Sequence, residues 1–360
     1  MYSNAAANRH TLPQGPLGRA RVAVVLNGNA RGVSTKVIGD LRHLLQDDPS
    51  RLYVSQSLDQ GVFIARHIVN KGFDVVLCGG GDGTFCQVVT DILALRPART
   101  PAFGVLRLGT GNALATTLGA SPPTRRGLEM DLLRAQLSSS RRDLPVLRVE
   151  GRLTPFAGVG LDSQILADYN DTKKLLAGTP LSNLGQGGMG YALAVATRSL
   201  WRFVLEPLPE VTVRNDGEPA WRVDLHGRPM GEPVPRGGVL YRGPVALAAA
   251  STIPYYGLGL RLFPQAEMRR DRFQLRVGNV DALSVLTQLP SIFRGTFSDP
   301  RICDFHCTAV TIHAATATPF QVAGDEVGRR TTIHVRMTHI QAVAAGPGHG
   351  ASEGLQQRAA

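Results

Sequence analysis

One stretch constrains this chain more than any other: Asp74-Val-Val-Leu-Cys-Gly79-Gly80-Gly81-Asp82-Gly83-Thr84. Four successive apolar residues predict a strand buried on both faces, and the residues after the glycines carry a helical pattern to Leu93. Glycines let a backbone approach a phosphate closely. A helix N-terminus adds free N–H groups and the positive end of a dipole. An aspartate in such a turn can hold Mg²⁺ or accept a proton beside the phosphate. Taken alone, the stretch is equally a tight strand-to-helix turn capped by Thr84 or Asp82. The chain has no G-x-x-x-x-G-K-[ST], and G-x-G-x-x-G begun at Gly79 meets Thr84 where its third glycine belongs. P-loop and dinucleotide fingerprints are therefore excluded.

Two more turns of this kind follow strands. Val24-Val-Leu-Asn27-Gly28-Asn29-Ala-Arg-Gly32 opens the ordered chain, and Gly104-Val-Leu-Arg-Leu-Gly109-Thr110-Gly111-Asn112 comes after Thr84. Strands are predicted at Val22–Leu26, Leu52–Ser55, Asp74–Cys78 and Ala102–Leu106. Helices are predicted at Thr35–Leu45, Val62–Val69, Gly83–Leu93 and Asn112–Leu118. This alternation specifies a parallel sheet with crossover helices. Turns after its first, third and fourth strands would gather at the strands' C-terminal edge, where open α/β sheets bind ligands.

Beyond Asp143 the pattern turns to β. Strands are expected at Val146–Val149, Thr154–Ala157, Val211–Arg214, Trp221–Leu225, Val245–Ala249, Gln274–Val277, Val310–His313 and Thr332–Met337. Two helices interrupt them, at Tyr191–Phe203 and Ala282–Phe293. The fold class is thus α/β, an α/β domain over 21–142 followed by a β-sandwich-like domain over 143–345, between disordered tails at 1–20 and 346–360. Cys303, Phe305 and Cys307 alternate as on one strand face, and their spacing matches no structural zinc pattern.

The 39 basic residues exceed the 28 acidic ones by 11, and all but four of them are arginines. Such a balance suits phosphate-rich surfaces, though no basic run exceeds two residues, so a solvated arginine-rich surface accounts for it as well. No apolar run reaches the roughly 18 residues of a membrane span. The first twenty residues contain no secretory apolar core. The expected location is cytoplasmic, peripheral at the inner membrane surface.

With these residues in place, the chain resembles the catalytic domain of diacylglycerol kinases and related lipid kinases, among them sphingosine and ceramide kinases and the bacterial lipid kinases. The likeness rests on GGGDGT at 79–84, the Asn27–Gly32 turn and LGTGNALA at 108–115. It continues through Phe156-Ala-Gly158-Val-Gly160-Leu-Asp162, Pro264-Gln-Ala266 with Asp271, and Phe320-Gln-Val-Ala323-Gly324-Asp325-Glu326. GGDGT alone also fits NAD kinase or phosphofructokinase; the later motifs favour a lipid kinase.

The resemblance implies an NAD-kinase-like α/β domain and a β-rich lipid-binding domain, with ATP and Mg²⁺ in the cleft between them. Asn27, Gly79, Gly80, Gly81, Gly83, Thr84, Gly109, Thr110 and Asn112 would surround the nucleotide. Asp82 would be catalytic and hold the metal, Asp162 would line the acceptor pocket, and Asp325 and Glu326 would supply the acid near the attacked phosphate. The implied partners are ATP and a membrane lipid at an anionic bilayer, diacylglycerol ahead of a sphingoid base or ceramide, with no nucleic acid and a homodimer left open. NAD kinase and a catalytically degenerate relative are the alternatives. Three positions depart from the family pattern. Arg107 replaces a proline, Arg272 follows Asp271 where the family has glycine, and Ala323 stands where the first acid of Asp-Gly-Glu belongs. In an extended strand Asp325 would face the same side as Ala323; in a turn at Gly324, Glu326 could swing in.

Overall fold

Val22–Leu26 and Val75–Cys78 have no polar side chain to offer solvent, and both strands lie at the centre of the first sheet, buried on both faces. The computed structural model describes residues 20–46, 48–137, 140–160, 208–256 and 259–345. Asp162, the predicted helix at Tyr191–Phe203, residues 1–19 of the first predicted tail and the whole second tail lie outside the described residues.

Strands β1 (Val22–Asn27), β2 (Leu52–Ser55), β3 (Val75–Gly80) and β4 (Ala102–Arg107) pair in parallel in the order β2-β1-β3-β4. Helices α1 (Thr35–Leu44), α2 (Leu58–Lys71), α3 (Asp82–Ala94), α4 (Ala113–Thr117) and α5 (Arg125–Gln136) connect or cover them. Ser34 and Ser57 cap α1 and α2 by accepting the N–H groups of Val37 and Gln60. The Ser57 cap explains why α2 starts at Leu58, four residues before its predicted start. Helix α5 was not predicted. Thr124 caps it, and it turns Leu128, Leu132 and Ala135 inward against β1, β3 and β4.

The second half is strand-rich: β5 (Arg141–Val149), β6 (Arg152–Thr154), β7 (Phe156–Gly160), β8 (Glu210–Asn215), β9 (Trp221–Val223), β10 (Val239–Pro244), β11 (Leu247–Ser251), β12 (Phe273–Gly278), β13 (Ile302–Cys307), β14 (Ala309–Val322) and β15 (Asp325–Val343). Helices α6 (Ala282–Thr287) and α7 (Leu289–Arg294) lie between β12 and β13. The single strand predicted over Thr154–Ala157 is two, β6 and β7, parted at Pro155. The single helix predicted over Ala282–Phe293 is also two, with Pro290 in the first turn of the second. Strand β10 was not predicted, and β11 begins at Leu247 rather than Val245.

Strands β7, β11, β12 and β13 form an antiparallel layer. Its Ala157, Val159, Ala248, Ala250, Phe273, Leu275 and Phe305 meet Val149, Val213, Val310, Ile312, Ile333 and Val335 in one apolar core. Cys307 is buried in that core and Cys303 packs against it, so the alternation read from sequence is that of a strand face. Strand β14 shifts register after His313 and again after Pro319, pairing first with β8 and then with β7. Strand β15 pairs with β14 and β5, and its last residues reach β4, where Ala342 lies beside Phe103. One strand thus runs from the sandwich into the parallel sheet.

Candidate active site

The three turns do meet at the C-terminal edge of the parallel sheet. Asn27, at the end of β1, donates from Nδ2 to Thr84 Oγ1 at 3.1 Å and accepts the Asn29 N–H on Oδ1 at 3.0 Å. Gly32 donates its N–H to the carbonyl of Leu108 at 3.2 Å. A Cβ on Gly109 would meet the Gly80 carbonyl at 2.8 Å and the Gly81 nitrogen at 2.9 Å, so the turns after β3 and β4 touch backbone to backbone.

The glycines of the triplet differ in role. Gly79 and Gly80 are buried, and the spaces a side chain would need are filled by Leu26 and Leu108 in one case and by Thr84 in the other. Gly81 is open: the nearest atom to a Cβ there would be the Gly109 Cα at 4.0 Å. Gly81 is also the N-cap of α3, and no side chain caps that helix. An open glycine at an uncapped N-terminus of a thirteen-residue helix suits a phosphate.

Asp82 does not cap its own helix, as the sequence had allowed. It is 9 % exposed, and its two carboxylate oxygens accept the N–H groups of Ala113 at 3.0 Å and Leu114 at 2.9 Å, the first residues of α4. Burial pushes its carboxyl above the usual carboxylate range; the two N–H bonds oppose this, and the charge of Asp325 adds to it. Asn112 closes its own turn, accepting the Gly109 N–H at 3.0 Å and donating to the Gly109 carbonyl at 2.7 Å from the left-handed region at φ 50°. The side chains of Asn27 and Asn112 hold the turns in shape, and Thr110 is exposed at the rim.

Asp325 comes from the other end of the chain. Ala323 and Gly324, at φ 53° and 83°, make the two-residue turn of the β14–β15 hairpin, in which Val322 pairs with Asp325. The Asp325 carboxylate lies in the space that a side chain on Gly83 would fill. Although the residue as a whole counts as exposed, its carboxyl is desolvated enough to sit above the usual range, with Arg152 opposing. Ala323 is a buried turn residue, 7 % exposed, so the extended alternation that would align it with Asp325 does not apply. Glu326 pairs across the hairpin with Gln321 and begins the opposite face of β15.

Among the described residues no three His, Cys, Asp or Glu side chains gather as a metal cage. Asp82 and Asp325 still fit Mg²⁺, which takes one or two carboxylates and completes its shell with phosphate oxygens and water. Each Asp82 oxygen keeps a second acceptor direction beyond its N–H bond, and the repulsion from Asp325 is of the kind a cation relieves. A cavity of about 440 Å³ lies away from this site, lined by Asp216, Glu218, Arg236, Asp271, Arg336 and His339. It touches none of the three turns.

Residues 21–141 match the family model of the diacylglycerol kinase catalytic domain. A Citrobacter koseri protein named "Probable lipid kinase YegS-like" is 30% identical over 111 residues, 30% of this chain and 36% of its own length. A Salmonella arizonae protein named "Probable lipid kinase YegS" matches over equal shares at 30% identity. The chain thus spans about a third of the length of the curated relatives it matches. A crystal structure of a diacylglycerol kinase from Bacillus anthracis str. Sterne superposes with a TM-score of 0.62 at 15% identity, covering 91% of this chain and 97% of that one. At that identity the superposition establishes the fold. No helix among the described residues is long and apolar enough to cross a membrane.

Proposed function

We propose, from the match of residues 21–141 to the family model of the diacylglycerol kinase catalytic domain, that the chain is an ATP-dependent lipid kinase transferring the γ-phosphate to a membrane-lipid hydroxyl, diacylglycerol before a sphingoid lipid. The observation that carries this reading is the Asp325 carboxylate lying against Gly83, in the first turn of α3. An acid from the strand-rich half meets the glycine turn, which supports a proton acceptor beside the phosphates.

In this reading residues 21–142 bind the nucleotide and 143–345 the lipid. The phosphates sit at Gly81 and the first N–H groups of α3, which are fixed before substrate arrives. The acceptor oxygen attacks the γ-phosphorus, the bond to the β–γ bridging oxygen breaks, and Asp325 takes the hydroxyl proton as ADP leaves. Mg²⁺, when bound, neutralises phosphate charge, with Asp82 as its protein ligand. Asn27, Thr84 and Asn112 hold the turns in register for this geometry. An apolar cavity of about 210 Å³ in the strand-rich half, lined by Leu260, Leu262, Val280, Ile292 and Phe297, favours a lipid acceptor over a soluble dinucleotide. The excess of 11 positive charges favours a cytoplasmic protein that docks on anionic bilayers.

The test is radiolabelled ATP supplied with a total lipid extract, with NAD in a parallel reaction. A labelled lipid is expected. Label in NAD alone, or in neither, would overturn the reading.

A further inference from the structure

Helix α4, with five residues, is a little over one turn long, and a charged side chain meets each of its ends. Its N-cap residue, Asn112, gives it no side-chain cap. Instead the N–H groups of Ala113 and Leu114 donate to the two oxygens of Asp82 at 3.0 and 2.9 Å. At the other end the carbonyl of Thr117, the last residue of the helix, accepts Nη2 of Arg142 at 2.9 Å. The last carbonyls of a helix have no N–H of that helix to meet. The next carbonyl, that of Leu118, is taken by the Ala345 N–H at 2.9 Å.

Arg142 lies on β5 opposite Ala342 of β15, the residue that reaches Phe103 of β4. It stands half-buried where the strand-rich half joins the parallel sheet. Burial pulls its guanidinium below the usual arginine range; Glu267 opposes this and Arg270 adds to it. Arg142 and Glu267 line a second cavity of about 210 Å³. Yet among the described residues no carboxylate forms an ion pair with Arg142, and its one side-chain hydrogen bond goes to Thr117. A guanidinium kept for charge balance would take the glutamate. This one takes the end of α4.

Among the described residues Asp82 accepts no hydrogen bond other than the two from α4. Its carboxylate therefore stands where α4 stands. A helix of about 7 Å shifts as a unit rather than bending, so holding one end fixes the other. We infer that Arg142 is a positioning residue for Asp82: by fixing the Thr117 carbonyl it sets the Ala113 and Leu114 N–H groups that orient the carboxylate beside the glycine turn.

The strand-rich half thus places both acids of the candidate site, Asp325 by direct approach and Asp82 through α4. What Asp82 does there rests on the lipid-kinase reading; how it is held is tested apart from turnover.

Hydrogen exchange resolved to single amides, on the full chain without nucleotide, reads the holding directly. In Arg142→Ala the Ala113 and Leu114 amides should exchange about ten-fold faster, the loss of one hydrogen bond to a charged donor. The amides of Leu147 and Val149, further along β5, should keep their wild-type rates. Turnover should fall about ten-fold with the KM for lipid unchanged. Arg142→Lys still reaches the carbonyl and should restore both exchange and turnover. Unchanged exchange at Ala113 and Leu114 in Arg142→Ala, or equal acceleration all along β5, overturns the inference. Should alanine fail to fold, Arg142→Gln, too short to reach Thr117, gives the same comparison. Failure of both to fold would make Arg142 a strut of the whole molecule and overturn it too. Protection that depends on Arg142 in a chain that phosphorylates no lipid would defeat the kinase reading and leave the positioning role standing. Lipid phosphorylation with exchange indifferent to Arg142 would do the reverse.

Discussion

The carboxylate of Asp325 occupies the space left by the missing side chain of Gly83. A residue near the end of the chain thus sits over the glycine turn because that turn presents no Cβ. Gly83 has no positive φ and lies in the first turn of α3, so alanine there is compatible with the helix and gains up to about 1 kcal/mol in propensity. The added methyl would push the Asp325 carboxylate aside. Gly83→Ala is expected to melt at or slightly above the wild-type temperature while losing turnover by about 100-fold, as Asp325→Ala should. Glu326→Ala, on the other face of β15, should cost much less. Normal turnover in Gly83→Ala would remove Asp325 from the reaction.

Asp82→Asn is expected to lose stability as well as activity. An amide in place of the carboxylate sets an NH₂ against the N–H of Ala113 or Leu114 and removes a charge-assisted bond, about 2 kcal/mol. Urea unfolding gives the difference. A wild-type midpoint would mean that α4 does not depend on Asp82.

The glycines should separate by role when each is changed to alanine. Gly109→Ala forces a Cβ into the Gly80 carbonyl and Gly81 backbone and should unfold or fail to express. Gly81→Ala meets nothing in the free protein and should keep its melting temperature, yet raise the KM for ATP about ten-fold or more by crowding the phosphates. Thermal melts and steady-state kinetics on the two variants check this. An unchanged KM in Gly81→Ala would move the phosphates elsewhere.

The pH dependence has a definite sign. Both Asp82 and Asp325 are raised in the folded protein, chiefly by burial, so the folded state holds their protons more tightly than the unfolded chain. Their contribution to stability is fully present below the unfolded value of about 4 and is lost as pH rises through the raised folded values. Asp325→Asn should therefore be more stable relative to wild type at pH 7 than at pH 4. With Asp325 as the proton acceptor proposed above, turnover should rise with pH along a limb displaced upward from ordinary carboxylates. The same stability difference at both pH values would contradict the burial of the Asp325 carboxyl.

Much of the parallel sheet was legible because β1, β2, β3 and β4 are short, largely apolar runs between turn residues, and their parallel pairing followed from the alternation with helices; their order β2-β1-β3-β4 was not. Helix α5 was not, because exposed Met130, Leu133 and Leu137 blur the spacing of Leu128, Leu132 and Ala135, and Asp131 is buried on its inner side. Of β15 only the stretch around Ile333 and Val335 alternates cleanly; its first residues are polar and partly exposed. In the candidate site, the gathering of three turns was readable from the topology. The bond from Asp82 to α4 was not, since it joins residues more than thirty positions apart and depends on how closely the glycine turns pack. The seat of Asp325 on Gly83 needed the hairpin geometry at Ala323 and Gly324, which the expectation of an extended strand misses.

Strand β15 also sets the order in which the molecule can be completed. Strand β4 finds its outer neighbour only at Ala342, some 240 residues beyond Phe103. During synthesis the parallel sheet must wait with that edge unpaired until almost the whole described chain has emerged. An open hydrophobic edge invites pairing with other chains, and so distant a contact closes slowly. Molecules cut short before residue 340 would keep every residue of the three turns and still present a sticky, unfinished border, so their fate would be aggregation rather than a smaller folded protein.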